Sequence, residues 1–305
     1  MGTLKVDTIQ DSGGNTILSS DGSGGFTNSL PAGKSGSFRN IIINGDMSIA
    51  QRSTSVSSIT SGSTYNTVDR FRLDISTSGT WTQSQDTDVP TGQGLVKSVK
   101  MDCTTANASL SAGSYNILAT RIEGQNLQYL KFGSANAQSL TLSFWVKSNK
   151  TGTYIIEFLN VDVSYKTISK SYTINSADTW EQKTITISGD TVSGFDNDNN
   201  NSLQIFWWLC AGTTYTSGTL NTSWNTRTLA NVAVGQVNLA DSTSNYINIT
   251  GVQLEAGTTA SDFEFLPYDV NLQRCQRYYE IGYVYHTNIG STLSEGGGRD
   301  RKSVV

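Results

Sequence analysis

Leu140-Thr-Leu-Ser-Phe-Trp-Val-Lys147 alternates with a period of two. Leu140, Leu142, Phe144 and Val146 fall on one side of an extended chain, and Thr141, Ser143 and Lys147 on the other. A strand with one face buried and one mostly wet has this pattern. Leu203-Gln-Ile-Phe-Trp-Trp-Leu-Cys210 carries the same stripe at Leu203, Ile205, Trp207 and Leu209, but its other side is apolar too, since Phe206, Trp208 and Cys210 point the opposite way.

Similar segments recur along the chain with polar turns between them: 68–75, 79–83, 94–103, 116–123, 152–161, 165–174, 181–187, 236–239 and 246–254. That spacing predicts an all-β, antiparallel sandwich. Asn40-Ile-Ile-Ile-Asn-Gly-Asp-Met-Ser-Ile-Ala-Gln-Arg52 reads as a further strand broken at Asn44-Gly45, a favoured tight-turn pair. Helix is scarce. Asp269 to Tyr279 predicts one short C-terminal helix, with Asp269 as its cap and Leu272, Cys275 and Tyr279 at helical spacing. In Tyr246-Ile-Asn-Ile-Thr-Gly-Val-Gln-Leu-Glu-Ala-Gly257 the apolar parity switches at Gly251. Either Gly251 marks a β-bulge, or the strand is plain and its other face carries Tyr246, Val252 and Leu254.

Charged residues make up 15% of the 305, well below the roughly 25% of ordinary soluble proteins. Ser, Thr, Asn and Gly supply most of the polarity instead, as on many extracellular β proteins. A net charge of −4, with no run of Lys or Arg, argues against nucleic acid as a partner. No apolar stretch approaches the roughly 18 residues of a membrane helix, so insertion is not expected. The opening Met1-Gly-Thr-Leu-Lys-Val6 lacks the apolar core of a signal peptide, and export by the general route is not expected. Cys103, Cys210 and Cys275 lie far apart beside a single histidine, His286, which leaves neither a disulfide framework nor a zinc site. Cys210 is expected to be an inert core or sub-surface thiol.

Residues 1–37 contain Leu4 to Gln10, a Gly13-Gly14 turn, Ile17-Leu18 and a Gly/Ser-rich tract, the pattern of a short β-hairpin stem, the other reading being a disordered tail before the domain. A hairpin with so few apolar residues is not stable alone and needs a partner. Thr3-Leu-Lys-Val-Asp-Thr-Ile-Gln-Asp11 resembles the N-terminal segment of marine-phage tail fibres, where three copies would pack into a trimeric stem. In collinear order, Asn40 to Arg52, Val68-Asp-Arg-Phe71, Leu140 to Lys147, Tyr172 to Glu181, Gly235-Gln-Val-Asn-Leu239 and the closing string from Tyr246 through Phe263-Glu-Phe-Leu-Pro-Tyr268 to Cys275-Gln-Arg-Tyr-Tyr-Glu280 resemble the jelly-roll module of phage tail fibres and receptor-binding appendages. No one marker is specific; their joint order is. The resemblance implies a carbohydrate-binding-like jelly roll over residues 38–280, following the 1–37 stem. It also implies a virion protein, assembled in the host cytoplasm and acting outside the cell. Its expected partners are a host cell-surface glycan, two further copies in a homotrimer, and other virion tail proteins.

Residues 281–305 form a tail. Asp300-Arg-Lys-Ser-Val-Val305 resembles the read-through of a short-read sequencing adapter, in which case the natural chain continues past Gly298; the other reading is a genuine charged tail.

Pyranose rings present C–H faces that stack on aromatic rings, so exposed aromatics among amide and hydroxyl neighbours are the candidate glycan contacts. Tyr215 and Trp224, in a Thr/Ser/Gly/Asn-rich connection, fit that description. Trp208 and Trp145 face away from their strands' main apolar stripes and are candidates too, the other reading for both being a subunit interface or a second packed layer. Glycan hydrolysis needs two carboxylates across a cleft. Glu123, Glu157, Glu181, Glu255, Glu264, Glu280, Asp69, Asp74 and Asp178 are scattered without a local motif, and a Ser-His-Asp arrangement would require His286, so no enzymatic activity and no catalytic residue is expected. Asp196, Asp198 and Asn200 offer oxygens at alternating positions, which calcium favours, but the stretch lacks the glycine and bidentate glutamate of an EF-hand and reads equally as a turn. No other cofactor is expected. Besides glycan adhesion, two functions stay open: a structural head or baseplate fibre without a ligand, and an envelope polysaccharide-degrading enzyme.

Overall fold

The computed structural model describes residues 38–282 without a break, together with short stretches at 8–10, 12–13, 16–20, 26–28 and 297–299. Leu4, Val6, His286 and residues 300–305 lie outside the described residues. The strands are Thr8–Gln10 (β1), Thr16–Ser20 (β2), Phe26–Asn28 (β3), Ser55–Thr64 (β4), Arg72–Asp86 (β5), Ser98–Thr105 (β6), Tyr115–Glu123 (β7), Leu140–Ser148 (β8), Gly152–Asn160 (β9), Lys166–Ile174 (β10), Glu181–Ile187 (β11), Asn201–Ala211 (β12), Asn225–Thr226 (β13), Tyr246–Ala256 (β14), Glu280–Gly282 (β15) and Gly297–Arg299 (β16). Among the described residues, helices are confined to a single turn at Thr213–Thr216 (α1), a nine-residue helix at Tyr268–Gln276 (α2) and a few 3-10 turns. Among the described residues no helix is long and apolar enough to cross a membrane.

β1 and β2 form the expected hairpin, Thr8 opposite Ser19 and Ile9 opposite Leu18, and β3 adds a third strand beside β2. The main body is an antiparallel jelly-roll sandwich. One layer runs β11-β8-β14-β6-β5 and the other β5-β7-β12-β9-β10-β13, with β4 laid along β5. The long strand β5 belongs to both, because Arg72–Ser76 pairs with β7 and Thr80–Asp86 with β6. The crossing comes at Gly79, where φ is +89° and a Cβ would lie 2.2 Å from the Thr105 carbonyl oxygen, which excludes a side chain. The two strands expected at 68–75 and 79–83 are therefore one bent strand beginning at Arg72.

The inward stripes meet in the middle. Phe144 of β8 packs edge-on against Tyr172 of β10 and Trp207 of β12, with ring centroids 5.2 and 5.9 Å apart. Trp207 is fully buried, and sequestering an indole contributes on the order of 5 kcal/mol. β14 contains the bulge: its register against β8 shifts between Thr250 and Gln253, with Gly251 at φ +60°. Ile247 and Ile249 before the bulge and Val252 and Leu254 after it all reach the same core.

Residues 40–52 are not a strand. Asn44 and Met47 adopt positive φ, which breaks the pleat, and side chains replace the ladder. Asn40 Nδ2 donates to the Val252 carbonyl, and Asn40 Oδ1 accepts from the backbone of Ile42 and Leu254. Ile41 and Gly45 bond to Leu254 and Val252, so this segment plugs into the bulge of β14. Residues 236–239 likewise form no strand; Asn238 instead caps a 3-10 turn by accepting from the Ala240 N–H. Pro267, not Asp269, stands at the cap position of α2, and Asp269 lies in its first turn. Cys210, expected to follow Trp208 outward, joins the main core because the ladder to β7 slips between Trp208 and Cys210. Burial pushes its thiol up to about 12, as an inert core cysteine requires.

Candidate functional site

β7, β9 and β12 are apolar on both faces. Their outward residues Ile117, Ala119, Ile155, Leu159, Phe206 and Trp208 form a second, smaller apolar cluster on the outside of the sandwich. The connection after β12 folds back to cover part of it. The Tyr215 carbonyl accepts from Ala233 N, Ser169 of β10 bonds to Asn221 and Val232, and Arg227 N donates to the Tyr165 carbonyl. Val232 and Ala233 are buried by that fold-back.

Where the cover stops, a cleft of about 240 Å³ remains, lined by Tyr115, Ile117, Leu159, Phe206, Trp208 and Tyr215 below and by Ser63, Arg72, Asp74, Arg227 and Leu229 around the rim. Its volume is near the lower end of small-ligand sites, about 300 Å³. Tyr215 stands over Trp208 at 5.1 Å between centroids and meets Tyr115 edge-on at 5.7 Å. Trp208 is fully buried, so it supports Tyr215 from beneath, while Tyr115 and Tyr215 are half-exposed. Burial, reinforced by Tyr115 and opposed by Arg227, holds the Tyr215 phenol above its ordinary range.

Two ion pairs furnish the polar part. Arg72 Nε reaches Asp74 Oδ1 at 2.6 Å on β5, where both alternate with the buried Leu73 and Ile75. Arg227, just past β13, gives Nε and Nη2 to the two oxygens of Glu157 at 2.6 and 3.1 Å. Desolvation alone would lower the Arg227 guanidinium; the Glu157 bonds outweigh it and raise it. Asp74 is the one carboxylate in the cleft lining, and it is held by arginine.

Of the four aromatic candidates, Trp208 and Tyr215 meet here. Trp224 does not: its Nε1 donates to the Ser188 carbonyl at 2.8 Å and its ring packs edge-on against Phe132, beside the main core. Trp145 lies half-buried on the outer face of the other layer, opposite Gln182 and Thr250. At the calcium candidates, Asp198 Oδ1 accepts from the Asn200 N–H, and the carbonyls of Asp196 and Asp198 accept from Gln128 and Gln125. Among the described residues no three His, Cys, Asp or Glu side chains converge on one point. Arg72, Tyr115 and Arg227 were not anticipated, and Asp74 and Glu157 were weighed only as hydrolytic carboxylates. Parity places Arg72 and Asp74 outward, and the two-faced apolar pattern of β7 and β12 signals a covered face.

No family model and no curated protein matches the chain. Solved structures with distant likeness include the enzymatically active domain of tailspike protein 4 of bacteriophage CBA120, at 13% identity and a TM-score of 0.38, covering 72% of this chain and 21% of that one. The chain thus spans about a fifth of the tailspike domain's length. Others are the family 11 carbohydrate-binding module of a Clostridium thermocellum cellulosomal cellulase, at 12% identity and 0.32, covering 66% and 99%, and the N-terminal cellulose-binding domain of Cellulomonas fimi β-1,4-glucanase C, at 11% and 0.32, covering 58% and 85%.

Proposed function

We propose that this chain is a glycan-binding protein of a phage appendage, which adheres reversibly to a host-surface polysaccharide without cleaving it. The observation that carries this is the cleft. Tyr115 and Tyr215 offer ring surface for a pyranose C–H face, and fixed guanidinium and carboxylate groups at the rim offer hydrogen bonds to its hydroxyls. A retaining or inverting hydrolase needs two working carboxylates. Here Asp74 is tied to Arg72, and Glu157 beneath is closed off by Arg227.

The virion setting comes from the collinear markers and from the stem-like opening segment. Trimerisation would place three clefts on one fibre, and avidity would then make up for a weak single site. The reading calls for no cofactor. Its test is to incubate the protein with host cells and a glycan array while assaying for released oligosaccharide. Binding without release is the expected result. Release would instead favour a degrading enzyme, and neither binding nor release would favour a purely structural fibre.

A further inference from the structure

We propose that Glu157 sets the selectivity of this cleft: the buried carboxylate fixes Arg227 and Trp208 in place and cancels the arginine's charge, so that the cleft takes an uncharged sugar in preference to an acidic one. The inference rests on the glycan-binding reading above.

Glu157 is fully buried on β9. A buried carboxylate without partners is costly, and this one is matched by donors from separate elements. Besides the two bonds from Arg227, it accepts from Thr167 Oγ1 of β10 at 2.9 Å and from Trp208 Nε1 of β12 at 3.2 Å. Two of these donors, Trp208 and Arg227, line the cleft. One acceptor therefore positions both the floor and a wall.

The same bonds decide the charge. The groups that line or directly support the cleft are Arg72, Asp74, Arg227 and Glu157, two cations and two anions, each cation held against its own anion. Arg121, farther along β7, is buried and lies outside the lining, though near enough to Arg72 and Asp74 for their charges to act on it. An acidic sugar entering the cleft meets arginines already matched to acids, and the protein's net charge of −4 offers it no further attraction. A neutral sugar meets hydrogen-bonding groups still on offer: Arg72 commits only Nε to Asp74, and Arg227 only Nε and Nη2 to Glu157. Planar donors of this kind, already neutralised and already oriented, suit adjacent hydroxyl oxygens.

The experiment measures binding of the full chain to neutral hexasaccharides (cello-, chito- and manno-oligomers) and to acidic ones (oligogalacturonate and oligosialate), at low and high salt. The wild type is expected to prefer a neutral probe, with little change in affinity on adding salt. Glu157→Gln keeps the shape but leaves Arg227 without a counter-charge; it is expected to bind the neutral probe at least roughly thirtyfold more weakly, as when one partner of a buried charge pair is lost, and to gain salt-sensitive binding of acidic probes. Asp74→Asn, at the more accessible rim, frees Arg72 without disturbing a buried group and should shift selectivity the same way. A wild type that prefers acidic probes overturns the inference while leaving the glycan reading intact, and so do variants whose neutral-to-acidic ratio does not move. A wild type that binds no glycan on a full array and no host cell removes both.

Discussion

At the residue scale, Asn44 replaces a stretch of strand ladder. It is buried at φ +62°, its Nδ2 donates to the carbonyls of Ile49 and Asp69, and its Oδ1 accepts from Ile49 N. Alanine would strand these buried backbone groups and tolerate the positive φ less well. Asn44→Ala is therefore expected to cost about 3 kcal/mol, read as a lower denaturant midpoint. Glu181 shows a residue-level effect of pH. Desolvation works to raise its carboxyl, but bonds from Lys183 and from Asn175 and Ser176 outweigh it and hold the pKa at about 2, against an ordinary 4.5. Since the folded value is the lower one, its contribution to stability is complete above about pH 4.5 and is lost as pH falls toward 2. Glu181→Gln should lower the melting temperature at neutral pH, and the gap from wild type should close by about pH 2. In the cleft, Tyr215→Ala is expected to weaken glycan binding about tenfold or more, the loss of roughly 1.5 kcal/mol or more of ring contact, with the circular dichroism spectrum unchanged.

At the element scale, strands rich in apolar residues, on one face or both, were legible and a strand without them was not. β8, β11 and β12 fall within a residue or two of their expected positions. β4, Ser55–Thr64, is almost entirely exposed and hydroxyl-rich, so no apolar period marks it, and its existence depends on pairing with β5. Residues 40–49 misled in the opposite way, because Ile41, Ile42 and Ile49 look like strand but are buried by an irregular plug. The bulge of β14 receives that plug, and Gly251 makes it possible. A Cβ there would lie 3.0 Å from Leu95 Cδ1 and 3.1 Å from Trp145 Cδ1, at a φ that favours glycine. Gly251→Ala should cost about 1–3 kcal/mol, checked by equilibrium unfolding. If it costs nothing, the bulge is not what anchors residues 40–49.

At the scale of the whole molecule, the bent strand β5 joins two layers around one core, and the fold-back of residues 212–233 covers part of the outer face, leaving a cleft at its margin. A protein comprising residues 38–282 is expected to melt cooperatively within a few degrees of the full chain, because every main-core residue among those described lies within it. If the stem trimerises the chain, the same truncation should sediment as a monomer while the full chain sediments as a trimer. Equal sedimentation of the two would remove the stem from that role.

The sequence by itself determined the all-β class, most strand positions, the inward faces and the parity switch at Gly251, because side-chain period and glycine punctuation are local properties of the backbone. It also singled out Trp208 and Tyr215. It could not bring Arg227 to Glu157, 70 residues away, or set β5 beside β7 so that Arg72 and Asp74 share a face with Phe206. Those pairings depend on strand order and on the path of a connection with little period of its own. Only the tertiary structure decided that two of four aromatic candidates meet in a cleft, that Trp224 packs beside the core, and that the groups supplying the cleft's polar bonds are two arginines already matched to two acids.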